Sequence, residues 1–547
     1  MLTLESYLND CVQTALQTLN IPENNSYQID RPKLEAHGDI SVNLAMLLAK
    51  ELKQNPRQIA QQIIDALSFD TEIIEKVDVA GPGFINFFLA KPALRKAVSK
   101  VLQAGENYGK FDIGKSKKTM VEFVSANPTG PLSVGHGRQA VLGDTLANLM
   151  EWLGYDVTRE YYFNNAGRQM RVLGESVRQR YQELLGDNSE FPEEYYQGEY
   201  IKDIAAGLFK EHGESLKDAA EVDIFKNAAE TEIFADIKQT LASLNIVFDT
   251  FFNESDLYSR GDIEEVISFL KEKDLAYEKE GALWFRATQF GLEQDRVIVK
   301  STGEPTYRLP DMAYHRDKYE RGFDIMIDIF GADHIATYPD VLAGLKALGY
   351  DPERVKVLIH QFVTLFEGKE KVKMSTRKAN FVTLDDLISE TGSDVVRWFF
   401  VMRSMQSHLN FDLKLARTQS EENPVYYNQY AHARICSIIR KGEESGIRFE
   451  DGQSFDQLTE ASEMALIKKL MEFPKTVLKC GTDYETHLLT GYLSDVSTAF
   501  HRFYTECHVI SPEAPEITQA RLGLCLATKT VLANGFRILG VSAPEKM

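Results

Sequence analysis

Between Lys118 and Phe163 the chain switches hydrophobic period twice, and these switches frame its most informative stretch. Thr119-Met120-Val121-Glu122-Phe123-Val124 is short, apolar and β-branched, the pattern of a buried strand. Val141, Leu142, Leu146, Leu149, Met150 and Leu153 then recur at helical spacing, and Gly154 stands where a C-cap glycine belongs. Asp156 to Phe163 reads as the next strand. This predicts a strand–loop–helix–strand unit with a long connection, SANPTGPLSVGHGRQ from Ser125 to Gln139, marked by Pro and Gly. Such a loop gathers backbone N–H groups and the positive end of a helix dipole at one point, which suits a phosphate.

The same patterns divide the whole chain. Residues 1–112 read as an α+β unit: a helix from about Leu4 to Leu19, a second over HGDISVNLAMLLAKEL, and a strand–turn–strand over VDVAGPGFINFFLA. Residues 113–405 alternate strands and helices as a Rossmann-type parallel sheet does. A polar, Tyr- and Glu-rich insert at about 185–244 interrupts this alternation. Residues 406–547 carry almost no strand signal past Leu413. Patterns such as VYYNQYAHARICSIIRK and ARLGLCLATKTVLANGFRILG predict an α-helical bundle. The expected fold class is therefore multidomain α/β, with a parallel-sheet domain between an N-terminal α+β domain and a C-terminal helical one.

Composition narrows the picture. A length of 547 residues is too great for one core, while 44% hydrophobic and 26% charged residues are ordinary for a soluble globular protein. The five cysteines (Cys11, Cys436, Cys480, Cys507, Cys525) form no CxxC and no Cys/His cluster. That argues against structural zinc and disulfides and suits a reducing cytosol. The N-terminus lacks the basic region of a signal peptide, and no stretch reads as a membrane span. A net charge of −20 argues against a nucleic-acid partner at first sight. Local patches decide binding, however, and Lys115–Lys118, Arg168–Arg180 and Arg434–Lys441 are basic.

A second chemical marker lies downstream, Lys371-Val372-Lys373-Met374-Ser375-Thr376-Arg377-Lys378. Cations around a small Ser-Thr pair suit a loop that closes over a polyphosphate, where developing negative charge needs donors. A basic surface turn fits this octapeptide equally well on its own.

Together these motifs resemble a class I aminoacyl-tRNA synthetase, and within that class the arginyl-tRNA synthetase family. The HIGH signature of the class matches Ser133-Val134-Gly135-His136, and KMSKS matches Lys373 to Arg377. SANPTGPL, VGHGR, YYFNNAGRQM, TYRLPDMAYHRDK, GADH, NPVYYNQYAHARI and LGVSAPEKM are similar to arginyl-family motifs, and HGD and GPGFINF extend the likeness to the N-terminal domain. Two positions depart from the class pattern: Ser133 replaces the first His of HIGH, and Thr376 replaces the second Lys of KMSKS. These departures leave open a non-catalytic tRNA-binding paralogue; another class I synthetase is the nearer rival.

The resemblance implies ligation of L-arginine to the terminal ribose of tRNA(Arg) through an arginyl-adenylate, with activation dependent on bound tRNA. It implies ATP binding by Ser133, Gly135, His136, His334, Lys373, Met374 and Ser375, with His136, Lys373 and Arg377 nearest the chemistry. Arginine is expected at Ser125, Asn127, Glu254, Tyr307 and Asp311, because a guanidinium needs carboxylates and carbonyls in a matching plane. On the residues alone, Asp311 also fits a helix N-cap, Tyr307 a core ring, Glu254 a solvated acid and His334 a structural histidine. Tyr426, Tyr430, Arg434 and Tyr504 are expected to meet tRNA bases, although tyrosines at this spacing also suit a core. The implied partners are tRNA(Arg), arginine and ATP with Mg²⁺, and neither DNA nor membrane. A cytoplasmic monomer without zinc or any metal-ligating residue is expected. No editing domain is expected, because a guanidinium-pairing site rejects analogues by itself.

Overall fold

The computed structural model describes residues 2–24, 26–32, 34–217, 221–372 and 382–547. Its centre is a five-stranded parallel sheet: β1 (Lys118–Glu122), β2 (Asp156–Phe163), β3 (Thr250–Asn253), β4 (Ile325–Gly331) and β5 (Val355–His360). The order across the sheet is β5-β4-β1-β2-β3 with every neighbouring pair parallel, the doubly wound arrangement. The strand order reverses between β1 and β4, so a crevice is expected beyond the carboxyl ends of these two strands.

The strand predicted over Thr119–Val124 stops at Glu122. Val124 and Ser125 take left-handed backbone angles (φ 69° and 40°), which end pairing and turn the chain sharply over the sheet edge. The helix predicted next spans Val134–Trp152 and is buried along nearly its whole length. It is sandwiched between the sheet and the C-terminal helices, which explains why apolar residues occur all round it.

The N-terminal domain is α+β, as expected, with an antiparallel sheet of Ile29–Asp30, Ile40–Val42, Phe84–Leu89 and Ile74–Ala80. The first helix covers Leu2–Thr18. The helix expected over His37–Leu52 is shorter, Leu44–Leu52, because Ile40-Ser41-Val42 pairs with Ile85-Asn86-Phe87 as a strand. The tertiary partner there outweighs local helix preference.

The insert is more regular than its polarity suggests. Its helices Glu199–His212 and Asp223–Ser243 pack with the preceding helix Gly167–Leu184 around Tyr181, Phe209 and Phe225. An antiparallel piece, Ala276–Lys279, Ala282–Phe285 and Arg296–Val299, departs from the parallel alternation expected there. A further small sheet pairs Val363–Glu367 with Leu409–Asp412 and so straddles residue 405.

The C-terminal part is a bundle of helices Pro424–Glu444, Ala461–Thr482, His487–Glu506 and Pro515–Leu539. Contrary to the expectation that no stretch resembles a membrane span, Pro515–Leu539 is long and apolar enough by composition. Its apolar positions are mostly buried, against the other bundle helices, Lys91–Ala104 and Val134–Trp152. All five cysteines are free and buried.

Candidate active site

A cavity of ≈ 810 Å³ opens at the carboxyl ends of β1 and β4, at the switch point. Ser125, Asn127, Ser133, Gly135, His136, Glu254, Tyr307, Asp311 and His334 all line it. The fold therefore gathers every arginine- and nucleotide-site residue predicted from sequence within the described chain. Lys373, Met374, Ser375 and Arg377 lie outside the described residues.

One side of the cavity is the start of helix Val134–Trp152. Ser133 is its N-cap: the hydroxyl oxygen accepts from the His136 N–H (3.3 Å), and the Ser133 N–H donates to His136 Nδ1 (3.2 Å). Here a histidine occupies the place that Glu or Gln holds in the usual capping box. Because Nδ1 accepts, the remaining proton of a neutral imidazole sits on Nε2. Burial holds His136 below its usual range, against a smaller opposing pull from Asp333, which favours that neutral form. Helix geometry leaves the Val134 and Gly135 amides without intrahelical partners. A Cβ on Gly135 would meet only Ser133 Oγ, at 3.6 Å, so glycine keeps the space over the first turn open rather than filling a packing need. The Ser133 hydroxyl also retains its own proton to donate. Backbone donors, a neutral N–H and a helix dipole thus face one volume, an arrangement for a phosphate.

The opposite side is acidic. Glu254 opens helix Glu254–Ser259, is 9% exposed, and accepts a hydrogen bond from Tyr162 Oη (2.8 Å). It is a buried pocket carboxyl, not a solvated loop acid. Asp311 is the fourth residue of helix Arg308–Glu320, not its N-cap. Burial pushes the Asp311 carboxyl up to about 7, with Glu254 and Glu122 adding to the rise and His315 and Lys318 opposing it. Burial also raises Glu254. No cation pairs with either carboxyl among the described residues. Two such groups at one end of a cavity await a planar cation with several donors. Tyr307, half exposed, forms part of the rim, with the Arg308 guanidinium 4.7 Å from its ring. His334 is also half exposed and stacks on Phe330 (5.2 Å between centroids).

Ser125 lines the cavity and also braces the turn that leads into it. Its hydroxyl donates to Glu122 Oε1 (2.9 Å) and accepts from the Tyr162 N–H (3.1 Å). Its one proton is committed to the protein, so it anchors the strained Val124–Ser125 turn.

Sequence reasoning missed the layer beneath. Strand register sets Asp328, Glu122 and Glu160 side by side across β4, β1 and β2, all buried. Helix Arg308–Glu320 lies over this row. Lys318 Nζ reaches Glu122 (2.6 Å) and Asp328 (2.7 Å), and His315 Nε2 lies 2.9 Å from Asp328. Tyr314 Oη (2.6 Å) donates to Glu160, which also pairs with Arg321 (2.5 Å) just past the helix. The charge partners hold Asp328 well below the usual carboxylate range and Lys318 above the usual amine range, each against its burial. A signal existed: single acids inside Met120–Val124 and Ile325–Phe330, with His315, Lys318 and Arg321 three residues apart between them.

The residues expected to meet tRNA form a separate surface on the bundle. Tyr426, Tyr430 and Arg434 fall four residues apart on Pro424–Glu444. The Tyr426 and Tyr430 rings are near-parallel at 6.2 Å, and the Arg434 guanidinium lies 5.2 Å from Tyr430 and 5.4 Å from Tyr504. All four side chains are partly exposed, unlike a core stripe.

Comparison with known proteins follows this geometry. Residues 6–89 match the family model for the arginyl-tRNA synthetase N-terminal domain, and residues 97–402 the model for tRNA synthetases class I (R), catalytic domain. Residues 428–547 match the DALR anticodon binding domain. The chain is 51% identical over 548 residues to the arginine–tRNA ligase of Desulfotalea psychrophila, spanning 100% of this chain and 99% of that one. It is 49% identical over 563 residues to that of Salinibacter ruber, spanning both completely. The Thermus thermophilus arginyl-tRNA synthetase structure shares the fold, with a TM-score of 0.76 at 22% identity over 99% of each chain.

Proposed function

This chain belongs to the arginyl-tRNA synthetases, class I enzymes that join arginine to tRNA, and from that premise we propose that the cavity at the sheet's carboxyl edge is its activation site. Arginine's guanidinium lies between Asp311 and Glu254 with Tyr307 at the rim, and Asn127 faces its α-substituents. ATP lies with its phosphates over the first turn of Val134–Trp152, against the Val134 and Gly135 amides, Ser133 Oγ–H and His136 Nε2–H, with His334 beside the nucleotide. Arginine's carboxylate oxygen attacks the α-phosphorus and pyrophosphate leaves. The tRNA's terminal 2′-hydroxyl then attacks the acyl carbonyl and AMP leaves. Positioning and phosphate electrostatics supply most of the rate, so no protein nucleophile is assigned. Lys373, Met374, Ser375 and Arg377, which lie outside the described residues, are assigned to ATP by the KMSKS resemblance alone.

The observation that supports this reading is the make-up of the cavity: two carboxyls with no cation partner among the described residues, and helix-start donors, line the same volume. The reacting carboxylate and α-phosphate then meet in that volume. A neutral His136 suits the role, since it donates without carrying a proton that titrates against the triphosphate. Among the described residues no group of three or more His, Cys, Asp or Glu side chains is arranged to hold a metal ion. Mg²⁺ would ride on the ATP phosphates.

We further assign residues 1–112 to the tRNA elbow, 113–405 to catalysis and 406–547, through Tyr426, Tyr430, Arg434 and Tyr504, to the anticodon stem and loop. The enzyme is taken to be a cytoplasmic monomer, the compartment suiting five unpaired cysteines. The test is charging of tRNA(Arg) with labelled arginine by the wild type and by Asp311→Asn. Robust charging by the wild type and a loss of at least tenfold in the variant are expected. Unchanged charging by Asp311→Asn removes that carboxyl from the arginine site.

A further inference from the structure

Arg138 lies one turn into helix Val134–Trp152 and is fully buried. Its guanidinium donates to three backbone carbonyls, from Nη1 to Gln361 (2.7 Å) and Ser407 (2.9 Å) and from Nη2 to Ser404 (3.0 Å). Nε is buried without a partner among the described residues. Burial lowers Arg138 to about 10, and no acidic neighbour offsets that shift. The other fully buried basic side chains differ: Arg397 pairs with Asp144 (2.5 Å), and Lys318 with Glu122 and Asp328. A buried cation held only by carbonyls is costly, and an apolar side chain would avoid that cost.

The carbonyls explain what the guanidinium does. Gln361 follows β5, and its neighbours His360, Phe362 and Val363 line the cavity. Ser404 and Ser407 belong to the loop after helix Ser393–Val401. The two segments pair with each other, the Gln361 N–H donating to Met405 O (3.0 Å) and the Leu409 N–H to Phe362 O (3.1 Å). Past Phe362 the chain enters strand Val363–Glu367, which leads towards the basic segment beginning at Lys371. On the far side, Ser404 Oγ meets Glu485 of the C-terminal bundle at 3.4 Å. Three carbonyls from two segments require a planar, multidentate donor, and a lysine ammonium cannot span them with the same geometry.

We propose that Arg138 is a positioning residue for arginine activation, fixing the helix start that carries Ser133–His136 against the cavity wall and the strand leading to the basic segment. This inference rests on the function proposed above. It acts on the placement of the Ser133–His136 helix start against the wall formed by His360, Phe362 and Val363 and leaves the Asp311–Glu254 end unchanged.

The test is arginine-dependent ATP–pyrophosphate exchange, with tRNA(Arg) present, for the wild type, Arg138→Met and Arg138→Lys, alongside arginine binding by calorimetry and thermal melting. A misplacement of about 1 Å costs roughly 100-fold in rate. Arg138→Met is therefore expected to lose about that in kcat with a raised KM for ATP, while arginine affinity stays within about threefold. Arg138→Lys is expected to recover only part of the rate. If Arg138→Met does not fold, Arg138→Lys decides the matter, since it keeps the charge and loses the fork. Wild-type kcat and ATP KM in soluble Arg138→Lys overturn the inference, as does a fall in arginine affinity equal to the fall in rate. Absence of exchange in the wild type instead overturns the proposed function, so the two failures are distinguishable.

Discussion

Arginine binding is predicted to be coupled to a proton at Asp311. Burial, with the nearby acids Glu254 and Glu122, pushes this carboxyl up to about 7 against the opposing His315 and Lys318. A guanidinium pairs with the ionised form, so binding at neutral pH must displace part of a proton. The ionised fraction is about one in eleven at pH 6 and about ten in eleven at pH 8, so apparent affinity rises about tenfold over that interval. Near pH 7 roughly half a proton is released per arginine bound. The sign for stability is opposite. Asp311 holds its proton more tightly folded than unfolded, so its contribution is full below the unfolded carboxylate pKa and is lost as pH rises through about 7. Calorimetric titration of arginine at pH 6, 7 and 8, in buffers of different ionisation enthalpy and with tRNA present, measures both affinity and proton count. Asp311→Asn should bind more weakly and show a flatter profile. A wild-type affinity that is level from pH 6 to 8, with no proton released, would refute the reasoning.

Three further perturbations have defined outcomes. Lys318→Met leaves Glu122 and Asp328 buried without their cation and should cost about 3–5 kcal/mol in urea unfolding; a loss below about 1 kcal/mol would mean the acid row is neutral without it. Ser133→Ala removes the side-chain cap of Val134–Trp152 and should cost about 1 kcal/mol of stability, together with a rise in the KM for ATP; an unchanged KM would confine Ser133 to capping. Tyr430→Ala should raise the KM for tRNA by the equivalent of about 1–3 kcal/mol if a base stacks there, with the arginine KM unaltered; an unaltered tRNA KM would make that stripe packing alone.

The parts of the fold that local pattern controls were legible in the sequence. Thr119–Phe163 announced its strand, loop and helix because a buried parallel strand and a buried helix each carry their own period. Val124 was harder: nothing in its type suggests φ of 69°, which comes from the Ser125 hydroxyl bridging Glu122 and Tyr162. Ile40–Val42 was misread as helix because its partner strand lies more than forty residues downstream. Ser133, Gly135, His136, Glu254 and Asp311 come to one cavity because the elements that carry them end at the same edge of the sheet. Glu122, His315, Lys318 and Asp328 were not legible as a group, since strand register and helix placement bring them together from separate elements. Arg138 was visible only as one letter of VGHGR, and its role depends on carbonyls that no sequence pattern marks.

In the function proposed above, the cavity at the carboxyl ends of β1 and β4 activates arginine with ATP. Arginine-dependent exchange of pyrophosphate into ATP, with and without tRNA(Arg), tests it most directly. Exchange with arginine alone among the amino acids, and only when tRNA is present, is expected. Exchange without tRNA would keep the substrate and remove the tRNA requirement. No exchange in either condition, with tRNA still bound, would contradict the claim and leave the chain a tRNA-binding protein with an idle pocket.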